Sequence, residues 1–270
     1  MMEGLTKYWG FYFVAAPDIN GVGIQDLQDA LEAFVEYQDW ISDILTLPSG
    51  ERARQNELNS LIASRHLRMV LAARIVVFQL FLQLAIVVDG QLQEKHKRIW
   101  LLFQLSDKLG RTEHPFVQMI KCLRSASNEA LVLLVERLSG IRDKYLPQSD
   151  FILGVDEAQR AARLYPHCFI SSNSENVPRS IIREIVRVFT KLPIKLVVSG
   201  TGLSLADLHE DMASGVSKPA EGFKVFHELG MFDTWSKLKP FLERYVPASI
   251  LESVSGRSLQ LRIREYLLGR

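Results

Sequence analysis

The sequence predicts an α/β protein in which a small parallel sheet is joined to a large block of helices. Three observations lead to this fold class. Two short apolar runs, residues 151–155 and 194–198, enclose one amphipathic segment, which is the pattern of a right-handed strand–helix–strand unit. A third apolar run lies near the N-terminus. The long stretch between that run and residue 151 has helical spacing almost throughout.

The spacing of the apolar residues, together with the breaker residues between them, predicts the following helices and strands along the chain. Residues 10–16 (GFYFVAA) predict a buried strand that is closed by Pro17 and Asp18. Spacing of three and four predicts helices over residues 51–89, 91–109, 115–123 and 128–145, and Gly90 is a suitable stop for the first of them. After two further strands at 151–155 and 194–198, with a helix over 178–191 between them, the tail reads as two or three more helices.

These elements suggest three parts. Residues 1–22 and 146–232 form the α/β core, residues 23–145 form a helical insertion, and residues 233–270 form a C-terminal helical segment that resembles a lid. Pro178 is expected in the first turn of the helix that joins the last two strands, because proline is well tolerated there.

Composition excludes several classes of protein. The 270 residues are 47% apolar, and 32 Lys and Arg against 31 Asp and Glu leave a net charge of +1. A disordered chain needs fewer apolar residues and more net charge, and a nearly neutral chain has no broad basic field for nucleic acid. A local basic groove remains open. The only cysteines, Cys122 and Cys168, belong to no ligand cluster, so we expect a reducing, intracellular location and no structural zinc.

One apolar stretch, residues 69–88, is long enough to cross a bilayer. It contains Arg74, Gln79 and Gln83, and a central arginine costs roughly 2.5–3.5 kcal/mol on membrane insertion. We therefore expect a buried helix of a protein core and no membrane.

The strongest local indication of a functional site in the sequence is an acidic pair. Asp156 and Glu157 follow the apolar run 151–155, and ligands bind at the carboxyl edge of open α/β sheets. An aspartate in this position helps to hold Mg²⁺ in nucleotide hydrolases, and a neighbouring glutamate can take a proton from water. The alternative is a strand that ends in a solvated acidic turn.

A second polar motif, SGTG, follows the run 194–198. Neighbouring parallel strands would bring Ser199 or Thr201 to the same edge as Asp156, where a hydroxyl can orient water or sense a phosphate. The alternative is a glycine-rich turn that caps a helix. The phosphate-binding string G-x-x-x-x-G-K-[ST] occurs nowhere in the 270 residues.

These motifs resemble the ATPase module of Crinkler-type proteins. The resemblance rests on segment 2–31, on FILGVDEAQRAAR at 151–163 and on KLVVSGTGLSL at 195–205, and it extends over most of the chain. It implies a P-loop NTPase-like sheet related to AAA+ and STAND-type ATPases, with ATP and Mg²⁺ as cofactors. Similar proteins carry the phosphate loop just before the segment that matches residues 2–31, and a nuclease-like domain often follows the module. The chain is therefore expected to be a shortened module.

The resemblance also assigns roles by position. Asp156 and Glu157 match the Walker B pair, with Asp156 holding Mg²⁺ through water and Glu157 acting as the base. Ser199 and Thr201 match the end of the sensor-1 strand, and Arg270 matches an arginine that contacts nucleotide. Nucleic acid would be bound only through a downstream domain. A homo-oligomer and an unidentified protein partner remain open.

Two other functions compete with this one. The helical block suggests a non-catalytic interaction or effector domain. The pair DEAQ and SGT also resembles helicase motifs, but the phosphate loop and the arginine-rich final motif of helicases are not found. The six histidines form no metal-binding pair, and no G-x-S-x-G elbow supports a hydrolase.

Overall fold

The structure, a computed structural model, describes residues 2–16, 23–105, 113–171, 174–192 and 194–200. Eight α-helices, two short 3-10 helices (Ala33–Glu36 and Ile44–Thr46) and five strands lie in these ranges. The helices are α1 (Met2–Lys7), α2 (Asp26–Glu32), α3 (Ser49–Asp89), α4 (Glu94–Leu105), α5 (Pro115–Leu123), α6 (Asn128–Tyr145), α7 (Ala158–Leu164) and α8 (Ile182–Phe189). The strands are β1 (Trp9–Val14), β2 (Phe151–Asp156), β3 (Phe169–Ser171), β4 (Ser174–Arg179) and β5 (Lys195–Val198).

The three predicted apolar runs form one parallel sheet in the order β1-β2-β5. β1 pairs with β2 from Trp9 opposite Phe151 to Val14 opposite Asp156. β2 pairs with β5 as far as Val155 opposite Val198. This confirms the α/β class and the small parallel sheet, and it places the carboxyl ends of β2 and β5 at the same edge.

A second, two-stranded sheet corrects one expectation. Pro178 does not begin a helix: it lies in β4, which pairs antiparallel with β3, and α8 begins four residues later at Ile182. Proline is compatible with such a strand because, in the described part of this sheet, β4 has a neighbouring strand on one side only. Ser180 lies two residues before the helix, and its Oγ accepts a hydrogen bond from the backbone N of Ile182 at 3.3 Å.

Helix α3 is the central helix of the described fold, against which other helices pack. It begins two residues before the predicted start and ends as predicted, at Gly90, whose φ of 76° closes the helix in the left-handed conformation. α5, α6 and α8 all pack against it. By length and composition α3 would be able to cross a membrane, but 56% of its most apolar window is buried inside the protein. This burial is consistent with the expected core helix.

The outer edge of β1 is closed by side chains instead of by a strand. Gln104 accepts a hydrogen bond from the Tyr12 backbone N at 3.0 Å and donates one to the Gly10 carbonyl oxygen at 3.1 Å. Trp100 Nε1 also donates to the Gly10 oxygen, at 2.8 Å, and Arg74 Nη1 donates to the Tyr12 oxygen at 2.9 Å. Helices α3 and α4 thus provide the partners that a neighbouring strand would supply.

Arg74 is fully buried and is held by charge and by aromatic rings. Its Nε and Nη2 donate to the two carboxylate oxygens of Asp26, each at 2.7 Å. The guanidinium carbon lies 4.5 Å from the ring centre of Phe13 and 4.2 Å from that of Phe116. This bidentate pair fixes α2 against α3 and positions the middle of β1.

Candidate functional site

The carboxylate of Asp156 is the centre of a polar cluster at the carboxyl edge of the sheet. Ser199 Oγ donates to Asp156 Oδ1 at 2.6 Å. Tyr12 Oη donates to Asp156 Oδ2 at 2.8 Å, and the backbone N of Glu157 donates to Oδ1 at 3.0 Å. Three donors from three parts of the chain therefore fix one half-buried carboxylate in a single orientation.

Backbone hydrogen bonds join the end of β5 to the residues around this carboxylate. The Ser199 backbone N donates to the Val155 oxygen at 2.9 Å, and the Ser199 oxygen accepts from the Ala158 backbone N at 3.0 Å. The pairing therefore continues one residue beyond β5 and on to the start of α7. As a result, the Ser199 hydroxyl is placed by the sheet rather than by a free loop.

Tyr12 is the part of the site that sequence reasoning missed. It is opposite Gly154 in the β1–β2 register, two residues before Asp156 on the same face of β2. Because glycine has no side chain, nothing on that face of β2 stands between the phenol ring and Asp156. The sequence shows a tyrosine within a predicted buried strand, but its position opposite Gly154 depends on the β1–β2 register, which the sequence alone does not give.

Glu157 has an unusual backbone. Its φ of 54° and ψ of 31° place it in the left-handed region, and among the described residues it is the one non-glycine residue with positive φ. Its Oε2 accepts a hydrogen bond from Gln159 Nε2 at 2.5 Å. Left-handed backbone is costly for a residue with a Cβ, and such strain is often found at functional sites.

This conformation leads to a stability prediction. Glu157→Gly is expected to be about 1 kcal/mol more stable than Glu157→Ala, because glycine adopts positive φ without strain. Both variants lose the carboxylate, so the difference isolates the backbone. Urea denaturation measures it. At exposed Arg160, inside α7, the same pair should show the opposite sign, with alanine the more stable. An equal or lower stability of Glu157→Gly would show that the backbone at residue 157 is not strained.

The other predicted site residues are only partly placed. The structure brings Asp156, Glu157 and Ser199 together, as expected from their positions after β2 and β5. Thr201 and Arg270 lie outside the described residues. Within the ranges that the structure describes, no group of three or more His, Cys, Asp or Glu side chains forms a metal cluster. A metal at this edge would therefore rest mainly on Asp156 and on ligands that come with a substrate.

Comparison of the chain with protein-family models, with curated proteins and with solved structures finds no match.

Proposed function

We propose that this chain carries the metal-binding and water-activating half of a Crinkler-type ATPase module. The observation that supports this most is the 2.6 Å hydrogen bond between Ser199 and Asp156. It joins the ends of two neighbouring parallel strands at the edge where α/β proteins bind ligands. A solvated acidic turn would not require the carboxylate to be held by Ser199 and Tyr12 together.

The hydrogen bonds of Asp156 favour an indirect contact with metal. A carboxylate offers about four lone-pair positions. Ser199 and the Glu157 amide occupy Oδ1, and Tyr12 occupies one position on Oδ2. One position on Oδ2 then stays available for a water molecule on Mg²⁺, an ion that usually retains several waters and binds through few carboxylates.

Glu157 is assigned the role of general base. It follows Asp156 directly, and its left-handed backbone sends the chain sharply from β2 into α7. Gln159 orients its carboxylate through Oε2, which leaves Oε1 to accept a proton from an attacking water. Ser199 and Thr201 would sense the phosphate or orient that water, and Arg270 would contact the nucleotide.

The phosphate contacts have to come from elsewhere, because the 270 residues contain no phosphate-loop string. We therefore propose that this chain alone binds ATP–Mg²⁺ more weakly than micromolar, and that hydrolysis requires a phosphate loop supplied upstream. An intracellular location follows from the same proposal.

Manganese binding tests the site in this chain. Mn²⁺ replaces Mg²⁺ and broadens nearby amide signals in NMR spectra. With millimolar ATP present, we expect broadening at residues 156–158 and 199, and we expect Asp156→Asn to abolish it. Asp150→Asn is the matched control, since Asp150 precedes the opposite end of β2 and pairs with Lys195 at 2.8 Å. Equal broadening in wild type and Asp156→Asn would refute the assignment.

One observation favours the second candidate, a non-catalytic interaction domain. Near its C-terminal end α3 exposes four large apolar side chains at helical spacing: Leu80, Leu84, Val87 and Val88. Val87 is 81% exposed. If this face carries the function, Leu84→Lys should remove biological activity and Asp156→Asn should not. The ATPase proposal expects the reverse.

A further inference from the structure

Tyr12 connects the helical block to the carboxylate at the carboxyl edge of the sheet. Its backbone is held from two helices, since Gln104 Oε1 on α4 accepts from the Tyr12 N at 3.0 Å and Arg74 Nη1 on α3 donates to the Tyr12 oxygen at 2.9 Å. Its phenol Oη donates to Asp156 Oδ2 at 2.8 Å. One residue therefore joins α3 and α4 to the end of β2.

The phenol ring is held by its surroundings as well. Tyr12 is almost completely buried and belongs to a small apolar cluster that includes Val14 and Leu101. Gly23 lies against this cluster: a Cβ at Gly23 would come within 2.3 Å of Val14 Cγ2 and 3.4 Å of Tyr12 Cε1. The ring has little room to move, so its hydroxyl reaches Asp156 from one fixed direction.

The hydroxyl of Tyr12 is the third donor to the Asp156 carboxylate. Ser199 Oγ and the Glu157 backbone N both donate to Oδ1, at 2.6 and 3.0 Å. These two bonds already tie the carboxylate to the end of β5 and to the start of α7. The bond from Tyr12 differs from them because it is made to Oδ2, the oxygen that is otherwise open to a ligand.

This third bond restricts how Asp156 can meet a cation. Each carboxylate oxygen offers about two lone-pair positions. Both positions on Oδ1 are taken, so Asp156 cannot bind an ion through its two oxygens together, and on Oδ2 an ion would have to share the oxygen with the phenol. Ca²⁺ collects 6–8 oxygen ligands and often takes both oxygens of a carboxylate, whereas Mg²⁺ usually keeps several of its waters.

We propose that Tyr12 is a positioning residue that makes the Asp156 site selective for hydrated Mg²⁺ over Ca²⁺. The inference rests on the proposed function, in which Asp156 contacts Mg²⁺ through water. Tyr12 acts through Asp156: it leaves Oδ2 one position, which suits a water molecule on the metal. Tyr12→Phe keeps the ring and its packing, removes the hydroxyl, and opens the second position of Oδ2 to direct coordination.

Displacement of Mn²⁺ measures this selectivity on the full chain, with millimolar ATP in every sample. Mg²⁺ or Ca²⁺ is added until the broadening at residues 156–158 and 199 is reversed, and the two concentrations give a ratio. We expect Tyr12→Phe to shift this ratio towards Ca²⁺ by about tenfold or more, the effect of one charge-assisted hydrogen bond. A general loosening of the fold would weaken the binding of both ions and leave the ratio unchanged.

Tyr8→Phe is the matched control, because Tyr8 is an exposed tyrosine just before β1. It should leave the ratio at the wild-type value, and equal shifts in Tyr8→Phe and Tyr12→Phe would overturn the proposal. An unchanged ratio in Tyr12→Phe, with broadening that Asp156→Asn abolishes, would refute the role of Tyr12 and leave the metal site standing. Broadening that persists in Asp156→Asn would refute the metal site itself and this inference with it.

Discussion

Replacing Arg74 with methionine is expected to lower the free energy of unfolding by about 3–5 kcal/mol, because it leaves the buried carboxylate of Asp26 without its partner. The variant also removes the hydrogen bonds from Arg74 to the Tyr12 carbonyl and to Gln104. Both groups are part of the closed edge of β1. Urea denaturation measures the loss.

Two further variants make this result interpretable. The double variant Arg74→Met with Asp26→Leu should recover much of the stability, because removing both charges leaves no buried ion unpaired. Arg54→Met, on the exposed part of the same helix, should change stability by less than about 0.5 kcal/mol. If Arg74→Met were no worse than Arg54→Met, the buried pair would not be a major support of the fold.

Much of the fold was predictable because its signals are local. The apolar runs that became β1, β2 and β5 are short, and each is followed by a breaker or a polar residue, namely Pro17, Asp156 and Ser199. α5 and α6 begin and end at the predicted residues, since Pro115 and Ser127 mark their starts clearly. The proximity of Asp156 and Ser199 followed from one rule, that neighbouring parallel strands end at the same edge.

The parts that were not predicted depend on long-range partners. Nothing local indicates that Arg74 pairs with Asp26, 48 residues earlier, or that Tyr12 reaches Asp156, 144 residues later. The β3–β4 pair was hidden for a related reason. Residues 174–179 carry few apolar side chains, and Pro178 by itself also suits the first turn of a helix.

The second large effect is expected in catalysis. In a form of the protein extended upstream through a phosphate loop, Glu157→Gln should keep ATP binding and lower turnover by roughly 10²–10⁴-fold, the usual contribution of a general base. Glutamine keeps the size of the side chain but cannot take a proton from water. Asp156→Ala should differ, because it also weakens binding that depends on Mg²⁺.

Steady-state ATP hydrolysis by Glu157→Gln in the extended form, with ATP titration of the same sample, tests the proposed role of Glu157 as general base. We expect wild-type affinity for ATP with turnover reduced at least about a hundredfold. Unchanged turnover would contradict it. The acidic pair after β2 would then be a structural strand end, held by Ser199 and Tyr12 for stability alone.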